Sequence, residues 1–343
     1  MDKIRVAILG ATGIVGQRLA ALLAVHPWFT VVALCASAES AGLRYDEAVR
    51  ARWRAPGEIP PSLAKTVVRP CLPDVEARLV FSALESGAAG PIEAAFAQEG
   101  YFVCSNAGDH RMSPNVPLLV PEANADHLAL VQRQALGSGG IVANPNCSTA
   151  GLVLALAPLH RSFGVRQVFV ATLQALSGAG YPGVPSLDIV GNAIPHIPGE
   201  EDKIETEPLK IMGDQTHLAD FRISAQCHRV AAAEGHLLSI AVELAQRPTL
   251  EGLVSALSSF APLRGLGLPT APAFPLFVHP EPDRPQPLRD AGRGAGMTVT
   301  IGRVRPDRIF DYKFTALVNN LVRGAAGAAV LNAELAFRRG YLH

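Results

Sequence analysis

A glycine-rich turn close to the start of the chain constrains the fold more than any other stretch. The segment 10–16, GATGIVG, follows a β-branched run at Ile4–Leu9 and precedes a helical pattern at 17–25. A strand, a glycine turn and a helix in this order are typical of a dinucleotide-binding fingerprint, here with the spacing GxxGxxG. The glycines let the backbone approach a pyrophosphate, which rests on the helix N-terminus. The residues expected to bind a dinucleotide are therefore Gly10, Thr12, Gly13, Ile14 and Val15.

Strands and helices alternate through the first half of the chain. Predicted strands lie at 30–35, 79–82 and 101–105, and helical patterns lie at 92–98 and 125–136. This alternation predicts a parallel, doubly wound sheet. We therefore predict a Rossmann-like dinucleotide-binding domain over residues 1–147.

The second half of the chain has a different pattern. Alternating apolar runs at 165–174, 225–231, 237–244 and 297–304 predict a largely antiparallel sheet. Helices are predicted at 185–194 and 250–260, and a proline-rich surface connection is predicted at 266–288. We expect an α+β domain over 148–323, and a final helix within 324–343 that packs back on the first domain.

Composition argues against several classes of function. Of the 343 residues, 30 are basic and 30 are acidic, so the net charge of zero gives no reason to expect a nucleic-acid or membrane partner. The N-terminus does not resemble a signal peptide, and no apolar run reaches the roughly 18 residues of a membrane span. The five cysteines are odd in number and have no paired metal spacing. We therefore expect a cytoplasmic protein without a metal site.

The segment 144–149, NPNCST, lies between a short apolar run and a long helical pattern. Cys147 is therefore predicted at a helix N-terminus, where unpaired N–H groups and the helix dipole lower the pKa of a thiol. The same N–H groups are candidates to stabilise an oxyanion. The alternative is a buried, inert cysteine, and this segment alone does not decide between the two.

Other polar residues are candidates for the same chemistry. His236 begins an apolar run seven residues after Arg229 and is a candidate general base, although any histidine can be structural. Arg111 has a guanidinium suited to phosphate or carboxylate, although an exposed loop arginine is an equal alternative. Ser82 ends a predicted strand, where open α/β sheets bind ligands. The acidic cluster at 200–203 is, on its own, best explained as a solvated surface.

The segment after the second predicted strand is where a dinucleotide-binding fold recognises the adenosine ribose. Glu39 favours the free hydroxyl of NAD, whereas Ser37, Ser40 and Arg44 favour the 2′-phosphate of NADP. These residues leave the choice of cofactor open.

The chain resembles the aspartate-β-semialdehyde dehydrogenases, especially those of archaea and fungi. The resemblance covers nearly the whole chain in family order, and NPNCST together with the downstream Arg229 and His236 is its most specific part. The other matching stretches are GATGIVG (10–16), SNAGDHRM (105–112), QALSGAGYPG (174–183), GEEDKIETEPLKI (199–211) and NNLVRGAAGAAVLNAEL (319–335).

The resemblance implies a role for each candidate residue. Cys147 attacks the substrate carbonyl, His236 transfers the proton and Gln174 orients the intermediate. The implied substrate ligands are Glu201 for the α-amino group, Arg229 for the α-carboxylate, and Arg111 with Lys203 for phosphate. The implied cofactor ligands beyond the glycine turn are Ser37, Ser40, Ser82 and Asn320.

The implied reaction is the NADPH-dependent reductive dephosphorylation of β-aspartyl phosphate to aspartate semialdehyde, in lysine, threonine and methionine biosynthesis. A thioester on Cys147 separates phosphate loss from hydride transfer. The resemblance implies NADP as the cofactor. Many relatives carry arginine and lysine where this chain has Glu39 and Leu43, and the loss of these two cations beside the 2′-phosphate keeps NAD as an alternative. Relatives associate through the second domain, which implies a homodimer or homotetramer.

Three alternatives remain at this point. Malonyl-CoA reductase shares the GAGYPG-like and RGAAG-like stretches but has no need of the charged cluster at 200–203. N-acetyl-γ-glutamyl-phosphate reductase uses the same cysteine and histidine chemistry but matches less well overall. A non-catalytic paralogue that acts as a binding subunit is disfavoured because Cys147, Gln174, Arg229 and His236 are all present.

Overall fold

Two six-stranded sheets organise the chain, whose computed structural model describes residues 3–342. The strands are β1 (Ile4–Leu9), β2 (Phe29–Ala36), β3 (Arg69–Pro70), β4 (Leu79–Ser82), β5 (Phe102–Ser105), β6 (Gly140–Ala143), β7 (Val165–Gln174), β8 (Arg222–Arg229), β9 (His236–Leu244), β10 (Leu276–Val278), β11 (Val299–Pro306) and β12 (Tyr312–Val318).

Helices connect and cover these strands. The α-helices are α1 (Ile14–Ala24), α2 (Tyr45–Val49), α3 (Pro61–Ala64), α4 (Ala89–Gln98), α5 (Pro121–Asn124), α6 (Cys147–Phe163), α7 (Ser186–Ile189), α8 (Glu200–Met212), α9 (Leu250–Ser259), α10 (Pro287–Asp290) and α11 (Gly327–Arg338). Short 3₁₀ helices occur at Arg50–Arg52, Ala125–Arg133, Leu176–Ala179 and Arg293–Gly296, and a π-helix occurs at Val322–Ala326. In residues 3–342, no helix combines the length and the apolar character needed to cross a membrane.

The first sheet has the order β3-β2-β1-β4-β5-β6, and all of its paired strands are parallel. This is the strand order of a doubly wound dinucleotide-binding sheet, with the switch point between β1 and β4. The predicted Rossmann-like fold is therefore confirmed, and the glycine turn lies at the carboxyl end of β1, where such sheets bind their ligands.

The second sheet has the order β10-β11-β12-β9-β7-β8. Its three inner pairings are antiparallel, as predicted, whereas the two outer ones, β10 with β11 and β7 with β8, are parallel. The sheet is therefore mixed. Part of the difference arises in the proline-rich segment 266–288, which was expected to be a connection but contributes the short edge strand β10.

Three local predictions differ from the structure. The predicted helix at 125–136 is a 3₁₀ helix, Ala125–Arg133, which Asn124 (φ −145°, ψ 44°) separates from the preceding α5. The predicted helix at 185–194 is only α7, since Gly191 beyond it takes a positive φ of 73°. The charged cluster at 200–203, expected on its own to be a solvated surface, forms the first turn of α8, where Glu200 is buried.

Helix α6 joins the two sheets and carries Cys147 at its first position. It follows β6 of the first sheet, and 12 of its 17 residues are buried, between Ser148 and Leu159. A helix that is apolar on all sides is stable only inside a core. The position of Cys147 is therefore fixed by packing against both halves of the molecule.

The end of the chain returns to the first sheet. Small and apolar residues of the π-helix and α11 pack in one core cluster with β1, β2 and α1. The buried Ala329, Val330 and Leu331 are among them. The π-helix thereby lies against the start of α6, although the domain bounds at 147 and 323 stay a prediction.

Candidate active site

Asn146 forms the N-cap that precedes Cys147. Its Oδ1 accepts hydrogen bonds from the backbone N–H groups of Ser148 (2.9 Å) and Thr149 (3.2 Å). A side-chain cap of this kind satisfies the free donors of a first helical turn. These two N–H groups are therefore already engaged, and the expectation that the first turn receives an oxyanion is not supported.

The surroundings of the Cys147 thiol disfavour its thiolate form. Burial raises its pKa to about 12 and the Glu200 carboxylate adds to this, whereas Arg111, the Ser148 N–H and Arg229 act in the opposite direction. The helix terminus does act in the predicted direction through the Ser148 N–H, but burial outweighs it, so the net shift of the pKa is upward and opposite to the prediction. The loss of hydration outweighs the dipole of a helix end whose donors are capped.

His236 is fully buried at the start of β9, and its Nδ1 accepts a hydrogen bond from the Ala175 N–H at 3.0 Å. Burial and the nearby Arg229 lower its pKa to about 3, so the imidazole is neutral. Because Nδ1 accepts, the single ring proton lies on Nε2. Nε2 has no hydrogen-bond partner among residues 3–342. His236 thus presents a donor, which differs from the general base expected at rest.

Arg229 is the last residue of β8, and it forms a hydrogen bond with Ala175, as His236 does. Its buried guanidinium donates from Nη1 to the Ala175 carbonyl oxygen at 2.8 Å, and burial lowers its pKa. A Cβ added at Gly178 would lie 2.8 Å from Arg229 Nη1 and 3.0 Å from His236 Nε2. The glycine-rich loop after β7 therefore packs so closely against both groups that residue 178 has no space for a side chain.

Glu200, at the first position of α8, is a buried carboxylate that contacts the nucleophile segment. Its Oε1 accepts from Asn146 Nδ2 (2.8 Å) and from Gln174 Nε2 (3.0 Å), and Lys203 Nζ lies 3.7 Å from Oε2. Gln174 and Lys203, whose roles the resemblance implies, thus both lie beside Glu200.

The neighbouring Glu201 lies elsewhere, because its Oε1 accepts from the backbone N–H of Cys227 in β8 at 2.9 Å. Adjacent residues of a helix point about 100° apart, so one of two consecutive glutamates faces away from the site. The charged cluster alone did not distinguish them. The helical phase of Glu200, Lys203 and Glu207 would have done so, because residues at these spacings share one face.

Glu207 is a second buried carboxylate that the sequence did not reveal. Its Oε1 accepts from Arg111 Nη1 (3.0 Å) and its Oε2 accepts from the backbone N–H of Asn146 (2.6 Å). Arg111 also donates from Nη2 to the Asn106 carbonyl (2.8 Å), while its Nε has no partner among the described residues. Arg111 is therefore held beside the nucleophile segment with one donor still free for an anion.

The π-helix closes the other side of the nucleophile. A Cβ added at Gly324 would lie 2.5 Å from Cys147 Cβ, closer than side chains approach one another. Nearby, Asn320 donates from Nδ2 to Ser177 Oγ and accepts at Oδ1 from the Gly235 N–H, both at 2.9 Å. The Asn320 amide is thus held by the loops beside His236, and its contact with a nicotinamide stays a prediction.

The glycine turn before α1 fits a pyrophosphate. Gly10 takes φ +70°, and a Cβ at Gly16 would lie 2.1 Å from the Gly10 carbonyl oxygen, so the helix begins tightly against the turn. In the described structure no side chain caps this helix at Gly13, and its first turn contains no acidic residue. Free N–H groups without nearby negative charge are what a phosphate group requires. Ser82 is fully buried at the end of the adjacent β4.

The ribose-recognition segment differs from the sequence expectation. Ser37 and Glu39 are exposed, but Ser40 is buried and its Oγ accepts from Arg52 Nη2 at 3.2 Å. Arg44, the cation expected to meet a 2′-phosphate, donates instead to Asp46 at 2.6 Å. Arg52 lies 12 positions beyond Ser40, and no motif in the sequence pointed to it.

Two family models match the chain. The semialdehyde dehydrogenase NAD binding domain matches residues 5–131, and the semialdehyde dehydrogenase dimerisation domain matches residues 156–323. The aspartate-semialdehyde dehydrogenase of Archaeoglobus fulgidus is 47% identical over 96% of this chain and 97% of its own length. That of Saccharomyces cerevisiae is 41% identical over 98% of both chains.

Solved structures agree with these relatives. Aspartate semialdehyde dehydrogenase from Candida albicans, solved with NADP, is 38% identical and superposes with a TM-score of 0.91 over 99% of this chain and 100% of that one. The Vibrio cholerae enzyme II, complexed with ASA, is 25% identical with a TM-score of 0.80 over 98% and 99% of the two chains. Sequence and fold agree, and the chain belongs to the aspartate-semialdehyde dehydrogenase family.

Proposed function

We propose that this protein reduces β-aspartyl phosphate to aspartate semialdehyde with NADPH, through a thioester on Cys147. One observation carries the proposal: Glu200 and the Glu207 that holds Arg111 both accept hydrogen bonds from Asn146, next to Cys147, and Arg229 lies beside His236 at the loop after β7. Cations attract the phosphate and carboxylate of an acidic acyl phosphate, and Glu200 suits its amino group. These three groups therefore match the three charges of the proposed substrate.

In the first step the Cys147 sulfur forms a bond to the acyl carbon, and the bond from that carbon to the phosphate oxygen breaks. The thiol proton leaves with the phosphate, so a dianionic acyl phosphate gives the thioester and hydrogenphosphate. This balance needs no base on the protein and agrees with a His236 that carries its proton on Nε2. Arg111 and Lys203 hold the phosphate, and His236 Nε2–H donates to the carbonyl oxygen as it becomes negative.

In the second step the thioester is reduced to the aldehyde, and a bound nicotinamide cofactor supplies the hydride. Cys147 leaves as a thiolate, which Arg111 and Arg229 stabilise until it takes a proton from water. The His236 Nε2–H holds the substrate oxygen during this step as in the first. Gln174 keeps Glu200 in place through its 3.0 Å hydrogen bond.

The experiment that tests this function is the reverse reaction, followed as phosphate-dependent formation of NADPH from aspartate semialdehyde and NADP. We expect turnover that requires both phosphate and the semialdehyde. If the protein instead reduced malonyl-CoA or an N-acetyl-glutamyl phosphate, the proposed substrate would be wrong. No turnover with any of these substrates would favour a binding subunit.

Glu200, rather than Glu201, is proposed to bind the substrate amino group. Changing Glu200→Gln should raise the KM for aspartate semialdehyde by about 10- to 100-fold, the scale of one lost charge-assisted contact. Glu201→Gln is the matched control and should leave KM within about twofold, since this side chain meets the β8 backbone. Steady-state kinetics of both variants test the assignment, and the reverse ranking would return the role to Glu201.

Arg52 is proposed to meet the 2′-phosphate of NADP together with Ser37, because Arg44 is paired with Asp46. Arg52→Gln should lower the ratio of kcat/KM for NADP to that for NAD by about tenfold or more. Arg44→Gln should change it little, and Glu39→Arg should raise it. Calorimetry with 2′,5′-ADP and 5′-AMP measures the same preference without turnover. Equal losses for the two nucleotides in Arg52→Gln would contradict the assignment.

A homodimer through the second sheet is proposed. Successive outward residues of β7 leave Phe169 and Leu173 exposed at 36% and 38%, and the family model over this region describes a dimerisation domain. Apolar side chains on an open sheet face favour an isologous contact. Light scattering at micromolar concentration should give twice the mass of one chain, or four times for a dimer of dimers. The mass of a single chain would refute this assembly.

The cytoplasm is proposed as the compartment. All five cysteines are free thiols in the structure, and two of them, Cys71 and Cys147, are partly exposed. A reducing compartment keeps a catalytic thiol available. The proposed reaction needs only small-molecule partners, namely the substrate, phosphate and the nicotinamide cofactor.

A further inference from the structure

One lysine of α8 is bonded entirely to a loop of the other half of the molecule. Lys210 Nζ donates to the carbonyl oxygens of Arg111 (2.6 Å), Ser113 (2.7 Å) and Val116 (2.9 Å). An ammonium has three protons and no acceptor, so these contacts use all of them. The loop at 111–116 is therefore fastened at three points by a single side chain.

The same face of α8 also binds the side chain of Arg111, the first residue of that loop. Glu207, one turn before Lys210, accepts from Arg111 Nη1 at 3.0 Å, so α8 grips both the backbone and the guanidinium of Arg111. Glu207 also accepts from the Asn146 N–H at 2.6 Å, next to the nucleophile. Residues at i and i+3 lie on one face of a helix, which explains how two turns of α8 reach both partners.

We propose that Lys210 is a positioning residue that sets the place of Arg111 relative to Cys147 and so governs phosphate binding. The proposal rests on the proposed function, in which Arg111 binds phosphate. Lys210 itself contacts neither the nucleophile nor the carboxylate Glu200. Substitution of Lys210 should therefore weaken the binding of phosphate more than the binding of the amino-acid part of the substrate.

The hydrogen bonds of Lys210 to the loop at 111–116 should depend on pH. Burial lowers the pKa of Lys210 to about 8. The Glu207 carboxylate has the opposite, smaller effect on this pKa. The other charged or titratable groups facing it are Arg111 on the fastened loop and His127, whose own pKa is lowered in part by Lys210. A neutral amine has only two protons for three carbonyls, so the loop loses a contact as pH rises through about 8.

The test is the KM for inorganic phosphate in the reverse reaction. Lys210→Met should raise this KM by about tenfold or more, with a smaller change in kcat and in the KM for aspartate semialdehyde. Lys210→Arg should restore much of the phosphate affinity. Lys3→Met is the matched control, since Lys3 Nζ also donates to a carbonyl, that of His26 at 2.7 Å, far along the sequence from the site.

The pH profile separates positioning from general support of the fold. In the wild type the KM for phosphate should rise between pH 7 and 9.5, and in Lys210→Arg this rise should disappear, because a guanidinium stays charged. This comparison remains available if Lys210→Met does not fold. Equal increases in both KM values, or the same rise with pH in Lys210→Arg, would overturn the proposal. A wild type without phosphate-dependent turnover would overturn the proposed function instead.

Discussion

Cys147→Ser is expected to remove turnover, by roughly 10⁴-fold or more in kcat/KM, while the protein still folds and binds its cofactor. A serine hydroxyl is a weak nucleophile here because His236 carries its proton on Nε2 and its Nδ1 is bonded to Ala175. In the second step the alkoxide of serine would also be a poorer leaving group than a thiolate. The structural cost should be small, since Asn146, and not the thiol, caps α6.

Cys71→Ser is the matched control for this substitution. Cys71 is also partly exposed, unlike the buried Cys35, Cys104 and Cys227, but it lies after β3 with its sulfur near the Ala36 carbonyl oxygen. Its substitution should leave kcat/KM nearly unchanged. Loss of turnover in Cys71→Ser with retention in Cys147→Ser would reject Cys147 as the nucleophile.

Gly324→Ala is expected to lower kcat by about 10²-fold, although the new methyl group would not touch the substrate. Its Cβ would lie 2.5 Å from Cys147 Cβ and 2.9 Å from Cys147 Cα, so the nucleophile and the π-helix must move apart. A displacement of about 1 Å at a reacting atom has consequences of this size. Cofactor binding should be affected less, because the added methyl group meets Cys147 and not the glycine turn at 10–16.

Gly292→Ala provides the comparison for an added methyl group. Gly292 has an ordinary φ of −84°, and a Cβ there meets nothing within 4 Å in the described structure. Its kcat should stay within about twofold of the wild type. Thermal unfolding of both variants should accompany the kinetics, and a Gly324→Ala protein with normal kcat would show that the close contact with Cys147 has no catalytic importance.

Features that depend on short stretches of sequence were predictable. The strand, turn and helix at the start follow from β-branched residues and glycines in fixed order, and Cys147 at a helix N-terminus follows from NPNCST before an apolar run. The parallel order of the first sheet follows from the alternation of strands and helices. Each of these inferences needs only neighbours in the chain.

Features that depend on contacts between distant segments were not predictable. Glu207 meets Arg111 across 96 positions, and Lys210 meets the same loop across 94 to 99 positions. The pKa of Cys147 depends on burial that the whole fold creates, which is why a rule for helix termini gave the wrong direction. The choice of Glu200 over Glu201 depends on how α8 is rotated, which only the packed helix determines.

The most direct test of the account is to trap the intermediate on Cys147. The protein is mixed with β-aspartyl phosphate in the absence of a nicotinamide cofactor, quenched in acid and digested for mass spectrometry. The account predicts one aspartyl group on the peptide that contains Cys147, release of one phosphate per acylated site, and no such adduct in Cys147→Ser. An unmodified Cys147 in a preparation that is active with NADPH, or an aspartyl group on another residue, would contradict it.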